Sequence, residues 1–402
     1  MNVAITGGHV VPIDGAPIDG GTVLIADGRI TAVGPAADIP VPAGTPVLEA
    51  RGQWVLPGFV EAHAHMGIGE EGEGDLGEDL NEKGERNGAR LRALDGVNPA
   101  DLGFLDAMSG GVTTAVILPG SANPIGGQAV AVKTWGRTAD DMVLRDPVGV
   151  KSALGENPKR SYEGSTRMGT AAAIRDAFLR AREYLVRRDP FDPGLEVLVR
   201  VLDRELPWLQ HVHRADDIAT AVRLADEFGY RLVVNHGTEA HLMADLLAER
   251  DIPVVSGPLI GTRSKVELRQ RTLRNPGVLA AAGVRVAITT DHSVVPIHFL
   301  VHQATFAVKE GLDRDTALRA ITTTPAMIMG LDDRVGALRP GLDGDVVLWS
   351  GDPLDVMSRA LRVLISGREV YRYDPGTASG IRTDPSTVQE SYRRLASSTA
   401  GR

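Results

Sequence analysis

Two histidines separated by one residue, His63 and His65, end the apolar run Trp54-Val-Leu-Pro-Gly-Phe-Val-Glu-Ala-His63-Ala-His65. On a strand, side chains two apart share a face, so both imidazoles can reach one metal ion at the strand's carboxyl end. Histidines recur where other strand-like runs end: His211 and His213 in Leu-Gln-His-Val-His-Arg, and His236 in Leu-Val-Val-Asn-His-Gly-Thr-Glu. An acid and a histidine, Asp291-His292, close a further run, Ala-Ile-Thr-Thr. Of the 10 histidines only His9 lies outside the middle of the chain, so metal-type chemistry is concentrated there. With no cysteine present, a metal must be held by His, Asp, Glu or a modified Lys, and disulfides are excluded.

The elements that would position these groups read as an α/β pattern. Short apolar runs at Leu56–Ala62, Val112–Leu118, Ala129–Lys133, Val148–Ala153, Trp208–Val212, Arg231–Asn235, Ile252–Ser256 and Val284–Thr290 alternate with helix-period stretches. The clearest helices are Thr170–Arg188, Ala215–Phe228, Glu239–Arg250 and Ile297–Glu310. Eight parallel strands predict a closed (β/α)8 TIM-like barrel over 56–336, whose strand ends share one mouth. Residues 1–55 carry short alternating strands, and similar character returns in Asp345–Trp349 and Val363–Tyr371. Neither end has enough strands to bury a face alone, so 1–55 and 337–380 are expected to combine into one small β-sandwich domain. Residues 381–402 read as a polar C-terminal tail.

Composition narrows the function classes. The apolar fraction of 43% and charged fraction of 24% suit an ordinary globular protein. A net charge of −9 without a basic cluster argues against nucleic acid as a partner. No window approaches a membrane span and no secretory leader is evident, so a cytoplasmic location is expected. Gly67–Asn98 is rich in Gly and acids, and its place directly after His65 suggests a long loop over the barrel mouth. Such a run reads equally as a solvated surface loop and as a substrate lid, and as a lid its charge would suit a neutral or cationic substrate.

Taken together, the order His63-x-His65, a central-strand Lys or Glu, His211, His236 and Asp291, flanked by the two-ended β-domain, resembles the amidohydrolase superfamily of metal-dependent hydrolases. Ala320-Ile-Thr-Thr-Thr-Pro-Ala-Met-Ile-Met-Gly-Leu and Gly336-Ala-Leu-Arg-Pro-Gly-Leu-Asp-Gly-Asp-Val-Val-Leu-Trp are similar to that superfamily's last helix and its return to the small domain. The chain looks closest to the imidazolonepropionase-like and prolidase-like branch, in a poorly characterised subgroup marked by Leu154-Gly-Glu-Asn-Pro-Lys-Arg and His213-Arg-Ala-Asp-Asp-Ile.

The resemblance implies that His63, His65, His211, His236 and Asp291 ligate one or two divalent metals, with zinc expected. Asp291 would also be the catalytic base and then acid. Both His211 and His213 point inward if their strand continues, and the resemblance favours His211 on the metal, leaving His213 to touch substrate or a carboxylate behind the ligands. A bridge between two metals would come from Lys151, carboxylated, or from Glu156; a single-metal site is the remaining alternative. Tyr162, Arg263, Lys265, Arg269 and His292 are candidate substrate contacts, with the cations suited to a substrate carboxylate. Gly120–Gln128 has enough glycine to bring backbone amides against a ligand, though such composition is common in simple turns.

The activity implied is hydrolysis of a C–N amide bond in a small peptide-like, N-acyl or cyclic amide substrate. Heterocycle deamination is the alternative within the superfamily, weakened because His211 is followed by Val-His-Arg-Ala without the glutamate of deaminating relatives. A catalytically silent scaffold is the third reading. The partner is a small molecule, and homo-oligomer formation is left open.

Overall fold

The computed structural model describes residues 1–383; the tail expected over 381–402 lies, from 384 onward, outside the described residues. Seventeen strands form two sheets. In chain order these are β1 Val3–Val10, β2 Ile18–Ala26, β3 Arg29–Pro35, β4 Val47–Glu49, β5 Trp54–Pro57, β6 Phe59–Ala64, β7 Val112–Ile117, β8 Ile125–Lys133 and β9 Val143–Ala153. Then follow β10 Trp208–Val212, β11 Leu232–His236, β12 Val254–Ser256, β13 Val286–Ile288, β14 Val346–Trp349, β15 Ala360–Ile365, β16 Arg368–Asp374 and β17 Ser379–Arg382.

The first sheet has nine strands and joins both chain ends, in the order β17-β16-β15-β14-β5-β1-β2-β3, with β4 on β1. Its seam is the antiparallel pair β5–β14, with Val347 opposite Leu56 and Trp349 opposite Trp54. The run expected as a single strand over Leu56–Ala62 is divided at Gly58. β5 belongs to the two-ended sheet and β6 to the barrel. A side chain at Gly58 would meet Thr113 Oγ1 at 1.9 Å, so only glycine lets the chain pass between the sheets there.

The second sheet runs β6 to β13 in sequence order and forms the barrel. All eight expected barrel runs are strands of it, but one departs from the expected parallel arrangement. β8 pairs antiparallel with both β7 and β9, so seven strands share a direction and one is reversed. The cause is connection length: a parallel return needs a crossover of a dozen or more residues, and only seven, 118–124, separate β7 from β8.

β10 and β11 are buried along their whole length, as strands covered on both faces must be. Leu209 and Val233 face one apolar cluster with Val60, Ala62, Val255 and Ala287, whereas Trp208, Leu232 and Val234 face another, formed with helix residues. Helix Ala215–Phe228 supplies Ile218, Ala221, Val222, Leu224, Ala225 and Phe228 to that outer layer and stops at Gly229, whose φ of 80° only glycine adopts without strain. Where β13 approaches β6, Glu61 closes the seam. Its carboxylate accepts from His63 N at 3.0 Å, Thr290 N at 2.8 Å and Thr290 Oγ1 at 2.7 Å.

The acidic segment after His65 is folded back on itself. It holds two short 3-10 turns, Gly74–Gly77 and Ala93–Gly96, and is tied down by Asp101, which accepts from Gly67 N and Glu71 N. Asn81 receives Ala122 N from the loop after β7, placing the segment against the barrel's C-terminal face. Part of its charge is spent internally: Glu70 accepts from Asn98 and Glu85 pairs with Arg90. No helix among the described residues is long and apolar enough to cross a membrane.

Candidate metal centre

The strand ends bring His63, His65, Lys151, His211, His213, His236 and Asp291 into one buried cluster. Asp291 Oδ1 lies 3.4 Å from His63 Nε2 and 3.3 Å from His65 Nε2, and its Oδ2 lies 3.9 Å from His236 Nδ1. The His236 ring centroid is 4.7 Å from that of His63, 4.5 Å from His211 and 4.9 Å from His213. Lys151 Nζ reaches His63 Nε2 at 3.2 Å.

Backbone conformation builds this cluster as much as strand pairing does. Strict alternation along β11 would send His236 outward with Leu232 and Val234. Its φ of 70° breaks the alternation and turns the ring onto the other histidines. Asp291 is also left-handed, at φ 53°. Such conformations cost about 1–3 kcal/mol at non-glycine residues and gather at functional sites.

Second partners orient two of the imidazoles. His65 Nδ1 is 2.7 Å from Leu118 O and His236 Nδ1 is 2.9 Å from Gly257 O, so each Nδ1 carries the proton and each Nε2 keeps its lone pair. Burial depresses His63, aided by the Lys151 cation, and it also holds His211 and His213 well below the usual histidine range. His236 is pushed down to about 4 by burial. Burial works to raise Asp291, but His236, His65 and Lys151 outweigh it and hold the carboxyl below its ordinary value. Four of the imidazoles, His63, His211, His213 and His236, are thus held neutral beside one carboxylate, the protonation states that bind divalent metals.

Two sets of ligand atoms lie within 4.8 Å of one another: His63, His236 and Asp291, and His211, His213 and Glu267. Within the second set His213 is engaged on both sides, Nδ1 at 2.8 Å from Thr238 Oγ1 and Nε2 at 3.6 Å from Glu267 Oε1. Among the described residues the one hydrogen-bond partner of His211 Nε2 is Asn157 Nδ2, at 3.5 Å.

The two bridge candidates part company. Lys151 is fully buried in the cluster, whereas Glu156 pairs with Arg160 and accepts from Glu267 N at 3.4 Å. Tyr162 donates to Glu85 O at 3.0 Å and stacks under Arg86, joining the acidic segment and not the histidines. Arg263 is exposed and donates to Arg269 O at 3.0 Å. Lys265 is half-buried and lowers His211, His213 and His236 through its charge. His292 is buried behind His65, accepting from Ile297 N at 3.1 Å, with Nε2 3.9 Å from Glu71 Oε1.

Asn157, Glu267 and Arg271 were not singled out from sequence. Arg271 is the next cation after Arg263, Lys265 and Arg269, and nothing in such a run tells which member turns inward.

A family model described as "Amidohydrolase family" matches residues 196–371. The crystal structure of an amidohydrolase from Thermotoga maritima MSB8 is 40% identical, superposes with a TM-score of 0.89, and is covered over 100% of its length by 92% of this chain. This chain belongs to the amidohydrolase family. Amidohydrolase tasK of Hapsidospora irregularis is 30% identical over 388 residues, 86% of this chain, which spans only 39% of that relative's length. An imidazolonepropionase of Acidiphilium cryptum is 27% identical, over 84% of this chain and 89% of its own length. Within the amidohydrolase family the donor set here, imidazole and carboxylate with no thiolate, suits a borderline divalent ion.

Proposed function

We propose that this chain hydrolyses a C–N amide bond of a small peptide-like, N-acyl or cyclic amide substrate, using two divalent metals, zinc foremost. The observation that carries this reading is the convergence of His63, His236 and Asp291, whose ligand atoms lie within 4.8 Å of one another beside Lys151. His63, His65 and Asp291 would hold one ion, and His211 and His236 the other. Lys151, carboxylated, would bridge them. A divalent metal supplies Lewis-acid polarisation of the amide carbonyl and makes water a nucleophile near neutral pH.

Asp291 would take the proton from the attacking water: its carboxylate is ionised, partly buried and beside both His63 and His65. Passing that proton to the departing nitrogen completes the exchange, so the amine leaves neutral. Neutral Lys151 is the form that adds CO2, and burial lowers its pKa to about 7. Carboxylation also removes the cost of a buried cation with no carboxylate at ion-pairing distance among the described residues.

Deamination remains the second reading, favoured by one feature: Glu267, whose pKa is raised by burial, is a carboxyl near His213 able to hold a proton. The two are separated by product analysis of the metal-loaded protein. Amine and carboxylic acid from N-acyl amino acids or dipeptides support the amidase, whereas ammonia from aminated heterocycles, with no amide cleaved, overturns it.

A further inference from the structure

Besides Lys151 within the strand-end cluster, the segment after β12 brings further cations beside it. Arg271 is half-buried beside it, close enough for its charge to lower His213 and for Asp291 to act on it. Its side chain's one hydrogen bond among the described residues runs from Nη1 to Thr262 O at 3.2 Å, and its Nε is buried without a partner among them. No carboxylate stands at ion-pairing distance from Arg271 or from Lys265 among the described residues. Arg263 adds a like charge nearby. Some exposed arginines have carboxylate partners, as in Arg250–Asp226 and Arg285–Asp251. A desolvated guanidinium without an anion is costly, and its fork of donors matches a carboxylate.

Arg271 and His236 border the same narrow recess, lined also by Thr238, Gly257 and Leu259, of about 10 Å³. That is near the space of one water, enough for a carboxylate oxygen but not for a whole ligand.

We infer that Arg271 forms a carboxylate subsite, so that the substrate is an amide whose leaving amine bears an α-carboxylate. This rests on the amidase reading above and differs from the neutral or cationic substrate suggested by the acidic segment. That segment packs against the loop after β7, whereas the uncompensated cations lie on the segment after β12.

The test compares pairs differing only in the carboxylate: N-acetyl-leucine with N-isopentylacetamide, and glycyl-leucine with glycyl-isopentylamide, on metal-loaded protein. Wild type is expected to favour the carboxylate member roughly 100-fold in kcat/KM. Arg271→Met should bring that ratio within a few-fold, chiefly through KM, and Arg271→Lys should retain an intermediate ratio. Equal turnover of both members by wild type, or equal losses on both in Arg271→Met, overturns the subsite and leaves the amidase standing. If no pair is cleaved, the amidase reading fails by itself, and calorimetry with leucine against isopentylamine decides the subsite. Leucine binding at least 10-fold weaker in Arg271→Met than in wild type supports it, and equal binding overturns it.

Discussion

The ammonium of Lys151 lies 3.2 Å from Nε2 of His63, and burial lowers its pKa to about 7. An amine must be uncharged to add CO2, and the uncharged fraction rises as pH passes upward through about 7. Metal content by elemental analysis is therefore expected to reach two per chain when loading is done above pH 8 with bicarbonate, and to fall when loading is done below pH 6. Lys151→Met should lose at least one metal and roughly 100-fold or more in turnover. Lys151→Glu should recover metal, because a carboxylate returns to the same place. Glu156→Ala should keep the full complement, since Glu156 is turned to Arg160. Two metals in Lys151→Met would remove the bridge from this residue.

Asp291 touches both histidines of the first pair, yet its proposed proton transfer asks more of it than ligation. Asp291→Asn keeps an oxygen donor but cannot hold the transferred proton. The expected loss in kcat is roughly 100- to 10,000-fold, with metal content reduced by at most one. Full activity in Asp291→Asn would take the proton step away from it.

Much of the barrel was legible because its signals are local. Apolar runs ending in His63, His211 and His236 show strands and site together, and the family order of those residues shows how they converge. What the sequence did not disclose depends on backbone conformation and long-range contact. Nothing in Val-Val-Asn-His announces the left-handed φ that turns His236 inward against the period-two pattern. The reversal of β8 follows from a short connection whose meaning requires knowing both neighbours. Arg271 is one of several spaced cations, and only packing leaves its Nε buried and unpartnered.

The buried imidazoles make metal-free stability depend on pH with a definite sign. His63, His211, His213 and His236 all have lowered values in the folded chain, so the unfolded chain binds protons first as pH falls below about 6.5. Stability is then lost down to the folded values. For His236, depressed from 6.5 to about 4, the loss is about 3 kcal/mol. Glu61 opposes it: raised from 4.5 to about 7 by burial, it contributes stability that is lost as pH rises through that window. Urea unfolding of metal-free protein between pH 7.5 and 5 should show falling stability, more steeply in Glu61→Gln and more shallowly in His236→Asn. A flat profile across all three proteins would contradict the burial of neutral histidines.

Gly58 carries the passage between the two sheets, and the space for a side chain there is already taken by Thr113, whose Oγ1, Cγ2 and Cβ would stand 1.9, 2.3 and 2.6 Å from an added Cβ. Thr113 is itself fully buried, so it has nowhere to retreat. Gly58→Ala is therefore expected to force the strands apart and cost about 1–3 kcal/mol. Because β6 begins at the next residue, carries His63 and leads into His65, the displacement should also weaken metal binding. Trimming Thr113 to glycine in the Gly58→Ala background returns the volume, so the double variant should be more stable than the sum of the single losses, by about 1 kcal/mol or more in a double-mutant cycle. Additive losses in thermal or urea unfolding would mean that the contact between positions 58 and 113 does not govern how the barrel meets the two-ended sheet.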